Sequence, residues 1–348
     1  MSILVTGGAG YIGSHAVQRL LAEGHRVVAI DNLFRGHAEA MDALATVAKG
    51  RLTFVRGDVG DRELVLRLIS EHSVDTVLHF AALAYVGESV TEPLRYYRAN
   101  SAAALALLEA VNDSHRLPHG GVTRFVFSST CASYGEPSPE NIPIRETCPQ
   151  SPINPYGWSK LHTERMLKDY AAMCRTAGKP FAHACLRYFN VAGSDPSGLI
   201  GEHHEPETHV IPVALQAVLG QREAFTIFGT DYPTPDGTCI RDYVHVVDLI
   251  EAHVAVMNGL KPGDERVYNL GIGNGFSVRQ VLDSVKRVTG KDFAVKTGSR
   301  RPGDPPALYA DPSKIRDEIG WQARYTDLDE IVRTAWNWFR SHPRGYGR

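Results

Sequence analysis

Short apolar runs alternate with stretches of helical period through the first half of the chain. Residues 3–6 and 27–30 are β-rich runs, and between them Ile12, Ala16, Val17, Leu20 and Leu21 recur at the spacing of one helical face. The same alternation predicts strands at 52–55, 76–80 and 124–128 and helices over 61–71 and 93–112. A further helix is predicted from Pro155, because Asn154 is a good N-cap and proline suits the first helical turn. A strand is predicted at 182–188. Apolar strands separated by helices imply an α/β fold, a doubly wound parallel sheet covered on both faces. The alternation then stops. Residues 193–209 are rich in Gly, Pro, Ser, His and acids and read as a long loop. Beyond it come a Pro-Asp-Gly turn at 235–237 and helices near 278–289 and 327–341. The expected organisation is one lobe over 1–188 and a smaller C-terminal mixed α/β lobe over 189–348, with some segments crossing back to the first.

Composition narrows the class. At 348 residues the chain is long enough for two lobes with their own cores. With 43% hydrophobic and 22% charged residues and a formal charge of -2, it has neither the profile of a disordered chain nor the basic footprint of a nucleic-acid binder. No run approaches the ~18–20 apolar residues of a membrane span. The first strand begins at once, without the basic and apolar regions of a secretion signal, so a cytoplasmic protein is expected. The cysteines, at 131, 148, 174, 185 and 239, are odd in number and include no C-x-x-C, which predicts free thiols.

Residues 7–13, Gly-Gly-Ala-Gly-Tyr-Ile-Gly, lie between the first strand and the first helix and read as both G-x-G-x-x-G and G-x-x-G-x-x-G. Gly7, Gly10 and Gly13 would give a tight turn, close approach to a pyrophosphate and helix–strand packing, as in a Rossmann-type unit. The helix N-terminus would add unpaired N–H groups and a partial positive charge. Asp31 follows 18 residues after Gly13, at the end of the second strand. A carboxylate there can accept the ribose hydroxyls and repels a 2′-phosphate, so NAD is expected rather than NADP. Gly57-Asp58-Val59 follows the third strand and can meet the adenine, although Gly-Asp is also an ordinary turn.

Tyr156 and Lys160 form Y-x-x-x-K and share one helical face. A phenol with its ordinary pKa near ~10 is a poor base at neutral pH, but a neighbouring ammonium and a cationic nicotinamide favour the phenolate. Among fourteen tyrosines that spacing also arises by chance. It gains weight from Ser128-Ser129-Thr130 at the end of a strand, where open α/β sheets collect their ligands. Thr130 is the candidate to hydrogen-bond a reacting oxygen; alone, it would read as a strand-end cap.

Seven strings carry a resemblance across nearly the whole chain: 7–15, Asp31-Asn32-Leu33, Val86-Gly87-Glu88-Ser89, Ser-Ser-Thr at 128–130, Pro-Tyr-Gly-x-x-Lys at 155–160, Arg-Tyr-Phe-Asn at 187–190 and Arg-Asp-Tyr at 241–243. In this order they resemble the UDP-glucose 4-epimerase family, sugar-nucleotide epimerases of the extended short-chain dehydrogenase/reductase type. The resemblance implies that the first lobe binds NAD and the second a UDP-sugar. It gives Thr130, Tyr156 and Lys160 the catalytic roles. It places Gly7, Gly10, Tyr11, Ile12, Gly13, Asp31, Asn32, Asp58, Val59, Phe80, Ala81, Ala82, Lys160 and Tyr188 around the cofactor. Asn190 would contact the sugar diphosphate, Phe228 the uridine, Arg241 and Arg301 the pyrophosphate, and Asp304 the uridine ribose. His209 stands where some relatives have asparagine in the substrate loop. Leu308 occupies the position that helps decide whether an N-acetyl group fits, and its size favours unacetylated sugars. A homodimer is implied through helices near 93–112 and 155–178. Many relatives have a lysine where this chain has Ala84, so that cofactor contact is absent or replaced.

The implied reaction interconverts UDP-glucose and UDP-galactose. Tyr156 removes the C4 hydroxyl proton, NAD takes the hydride, and hydride returns to the opposite face of a 4-keto sugar. UDP-xylose (UDP-arabinose) 4-epimerases share the chemistry and the Ala84-Tyr85 pair. A 4,6-dehydratase would need a carboxylic acid beside Thr130, where this chain has Cys131 and Ala132. A non-catalytic NAD-sensing regulator would have no need of Tyr156 and Lys160. His203, His204, Glu205, Glu207 and His209 crowd one stretch, but H-E-x-x-x-H with Pro206 inside is not the helical H-E-x-x-H of zinc enzymes. No metal is expected there, and a solvated substrate-side loop is the reading.

Overall fold

The structure, a computed structural model, describes residues 1–301 and 304–347. Five parallel strands lead the fold: β1 (Ser2–Thr6), β2 (Arg26–Asp31), β3 (Leu52–Arg56), β4 (Thr76–His79) and β5 (Arg124–Thr130). With β6 (Ala182–Tyr188) and the late strand Glu265–Leu270 they make a seven-stranded parallel sheet. Its order is Glu265–Leu270, β6, β5, β4, β1, β2, β3. β1 lies between β2 and β4, with Leu4 beside Val28 and Val77. The strand order therefore reverses at β1, where a doubly wound sheet opens its ligand crevice.

Most of the helices anticipated from sequence form, with small shifts at their ends. Asp61 caps the helix Arg62–Glu71 by accepting from Leu64 N–H. Asn154 accepts from Gly157 N–H and starts the 22-residue helix Pro155–Thr176. Ser277 and Gln280 form a capping box at the head of Val278–Thr289. The segment expected as one helix over 93–112 is instead Pro93–Tyr96, a π-helical stretch Tyr97–Ala102, and Ala103–Ser114. Helices Ala38–Val47, Val210–Val218 and Val246–Gly259 lie outside the sequence expectations.

The chain forms two compact units. The first comprises Met1–Gly135, Gln150–Arg187 and Ile250–Tyr268. Its core packs Leu4, Val28, Ile30, Val77, Phe125 and Phe127 of the sheet against Leu107, Val111 and Leu167 of the helices. The second comprises Glu136–Pro149, Tyr188–Leu249 and the chain from Asn269 onward. It carries small mixed sheets and packs Ile211, Leu215, Val281, Val285, Ile331 and Trp338 together. Among the described residues no helix is long and apolar enough to cross a membrane, and all five cysteines are free thiols.

Candidate active site

The glycine loop closes over the end of β1. Gly7 and Gly8 N–H both donate to Ile30 O, and Gly10 N–H returns to Gly7 O. Gly7 has φ +68°, and a Cβ there would come within 2.7 Å of Ala81 N, so no other residue fits without moving the backbone. Helix Tyr11–Ala22 then starts from Gly10 with no side-chain cap and no acid in its first turn. Tyr11, Ile12 and Gly13 form the first turn of this helix, at its partly positive end. Asp31 is buried at the end of β2 and accepts from Ala9 N–H at 3.0 Å and Leu33 N–H at 2.8 Å. Burial raises its pKa, and those backbone donors oppose the shift. Asn32 Nδ2 donates to Asp58, whose other oxygen accepts Gly60 N–H; Val59 is buried beside them. Phe80, Ala81 and Ala82 follow β4, with Phe80 N–H on Thr6 O. Tyr188 is the last residue of β6. Apart from Lys160, the expected cofactor residues of the first unit therefore lie at or just beyond the carboxyl ends of β1, β2, β3 and β4.

The three residues expected to be catalytic come from β5 and the helix Pro155–Thr176. Thr130 ends β5, and its Oγ1 accepts Ala132 N–H at 3.1 Å, which leaves the hydroxyl proton to donate. Gly157 lets the helix sit against the segment after β5, since a Cβ there would be 2.5 Å from Ala132 O. Tyr156 is buried, packed on Leu83 and edge-on to Tyr96. Lys160, 3% exposed, donates to Ser128 O at 2.8 Å and lies over the Phe127 ring. Burial pulls its pKa down to about 7, against the opposing pull of Glu164. His79 is also lowered, to about 3, by burial and then by Lys160, so it stays neutral while bonded to Thr6 Oγ1.

Several supports were not singled out in the sequence. Glu164, one turn beyond Lys160, accepts from Ser129 Oγ, Gln150 Nε2 and two nitrogens of Arg187, whose third donor holds Tyr134 OH. Asn100, in the π-helical stretch, exchanges hydrogen bonds with both backbone groups of Leu83 and donates to Ser159 Oγ. It thereby ties the segment after β4 to the helix of Tyr156. A charged residue on a buried helical face was the available signal for Glu164; Asn100 left none. Ala84 is exposed, and beside it Tyr85 carries the Arg35 guanidinium over its ring, with Arg35 paired to Glu88.

The second unit holds the other residues. Asn190 opens the short strand Asn190–Ala192, its N–H on Asp242 O. Arg241 pairs with Asp304 and, across parallel strands, lies beside Leu308. Arg301 stacks its guanidinium 4.1 Å over Phe228, which ends the strand Phe225–Phe228 and is half-exposed. Two cationic groups and an aromatic face thus occur as local pairs. His209 precedes helix Val210–Val218 and bonds through Nδ1 to Glu207.

The sequence profile of the NAD-dependent epimerase/dehydratase family matches residues 3–271. A UDP-glucose 4-epimerase of Lacticaseibacillus casei is 45% identical over 348 residues, covering 100% of this chain and 99% of its own. A probable UDP-arabinose 4-epimerase of Oryza sativa subsp. japonica is 48% identical over 352 residues, covering 99% of this chain and 84% of its own. The crystal structure of a UDP-glucose 4-epimerase from Bifidobacterium longum, in complex with NAD+ and UDP, superposes with a TM-score of 0.91 at 37% identity, covering 99% of this chain and 100% of its own.

Proposed function

The chain belongs to the NAD-dependent epimerase/dehydratase family as an NAD-dependent UDP-sugar 4-epimerase, and we propose that the pair it interconverts is UDP-glucose and UDP-galactose. The observation that carries the chemical reading is the buried Lys160 ammonium, one helical turn from Tyr156 and bonded to the strand that ends in Thr130. The first unit suits NAD: the turn at Gly7 admits no side chain, the following helix start is uncapped, and a buried carboxylate stands at Asp31. Bound NAD supplies the acceptor, and afterwards the donor, of the hydride at sugar C4.

Within this reading Thr130 Oγ1 donates to the C4 oxygen, and Tyr156 Oη takes its proton and later returns it. Lys160 favours the phenolate and holds the nicotinamide ribose. In the second unit Arg241 and Arg301 hold the diphosphate as charge-assisted donors, with Asn190 and His209 as further contacts. Phe228 offers an apolar face to the uracil and Asp304 a carboxylate to the ribose. Leu308 leaves less room for an N-acetyl group than a small residue would.

A pentose reading has its own support, in the Ala84-Tyr85 pair and in 48% identity to the rice relative named for UDP-arabinose. The purified chain, given UDP-galactose, UDP-N-acetylgalactosamine or UDP-xylose without added NAD, separates these readings by product identity. UDP-glucose is expected from the first, with the other two turned over poorly. Turnover confined to UDP-xylose would move the substrate to a pentose, and a 4-keto-6-deoxy product would overturn the epimerase chemistry. We also propose a homodimer paired through the helices near 93–112 and 155–178.

A further inference from the structure

The loop that leads into helix Val210–Val218 does more than connect. Glu202, His204, Glu207 and His209, spaced E-x-H-x-x-E-x-H, bring one donor atom each to within 4.8 Å of one another. His204 Nδ1 is 3.2 Å from Glu202 Oε1 and 3.4 Å from Glu207 Oε2. His209 Nδ1 is 3.5 Å from Glu202 Oε1 and 2.8 Å from Glu207 Oε1. Donors about 2.1 Å from a tetrahedral zinc ion stand about 3.4 Å apart, which three separations within the set Glu202 Oε1, His204 Nδ1, Glu207 Oε2 and His209 Nδ1 match; the 2.8 Å contact is to the other oxygen of Glu207. The two carboxylates are 3% and 2% exposed, whereas His209 is 36% exposed and gives an ion a way in.

The donors are held by their backbone. Glu202 O accepts Trp338 Nε1, Glu207 O accepts Arg222, and Glu207 Oε1 accepts Thr208 and His209 N–H. Two buried carboxylates beside two imidazoles carry the charge and the borderline donor set that a divalent transition ion neutralises. Protons are the competing partner. The helical H-E-x-x-H template, by which the sequence is read as metal-free, is the wrong test for a loop: the working spacing begins at Glu202 and omits His203 and Glu205.

We propose that Glu202, His204, Glu207 and His209 form a closed four-ligand site for one zinc ion, which fixes the loop 201–209 to the head of helix Val210–Val218. With all four positions filled by protein, the ion is structural rather than catalytic. The untagged, full-length chain is stripped with chelator, exchanged into metal-free buffer and titrated with zinc against a chromogenic chelator. One zinc per chain is expected, with a rise in Tm that EDTA reverses. The stoichiometric binding should disappear in Glu202→Gln and in His204→Ala. X-ray absorption of the zinc-loaded wild-type chain should show nitrogen and oxygen neighbours with imidazole scattering and no sulfur. Substoichiometric uptake by the wild type, equal uptake by both variants, or sulfur in the first shell would each overturn the site; the wild-type titration and spectrum decide even where a variant does not fold.

Discussion

Burying the ammonium of Lys160 is expensive, and the cost shows as a lowered pKa. Its folded pKa lies near 7, while the same side chain in an unfolded chain titrates near 10.4. Between those values the unfolded state binds more protons than the native state, so this residue makes stability rise with pH across about 7 to 10.4. Lys160→Met should therefore be at least as stable as the wild type at pH 7, with the advantage fading by about pH 10.4, in melts run at both ends. Its epimerase activity should fall by about 10² or more. A variant that melts lower than wild type at pH 7 would make the ammonium a structural group. Tyr156→Phe should retain NAD, measured on the released nucleotide, and lose about 10² to 10⁴ in turnover. Undiminished turnover would remove Tyr156 as the base. These residues could be named from sequence because each sits in a short string of fixed spacing on one element. His79, Asn100 and Arg187 could not be assigned their contacts, since each contact joins residues far apart in the chain.

The helix Pro155–Thr176 shows how one element positions a site. Asn154 sets its start, Gly157 lets it close on the segment after β5, and Glu164 locks it to β6 through Arg187. Arg187 and Glu164 are 6% and 7% exposed, so removing one leaves the other charge buried. Arg187→Leu should cost about 3–5 kcal/mol in denaturant unfolding. A loss under about 1 kcal/mol would mean that Gln150 and Ser129 suffice for the carboxylate. Elements with an apolar stripe and a cap were legible, as at 62–71, 155–176 and 278–289. Helix Val246–Gly259 was not: Val246, Leu249, Ile250, Val254, Val256 and Met257 bury nearly all round it, which erases the periodic signal. Nor does any local pattern announce the π-helical turns at 97–102, or that 265–270 returns to the edge of the first sheet beside β6.

At the scale of the whole molecule, the first unit leaves apolar surface that its own core does not use. Val90, Leu94, Leu105, Trp158 and Met173 are exposed, Leu94 at 80%. They lie on the helices of 86–114 and 155–176, which touch through His162, stacked on Tyr97 and close to Trp158. Scattered exposed leucines are ordinary, but we propose that these, carried on neighbouring helices, form an interaction face. A two-fold pairing of that face with its copy would be self-complementary and closed, which is how most homodimers form. Sedimentation of the wild-type chain should therefore give a dimer. Leu105→Glu, which places a charge on an already solvated position of the single chain, should shift it to monomer without lowering helix content by circular dichroism. A wild-type monomer, or a dimer indifferent to charge at both Leu94 and Leu105, would locate assembly elsewhere. Since every trio residue lies in the first unit, the monomeric variant should keep its bound NAD, and any loss of turnover would then measure how far pairing steadies the helix that carries Tyr156 and Lys160.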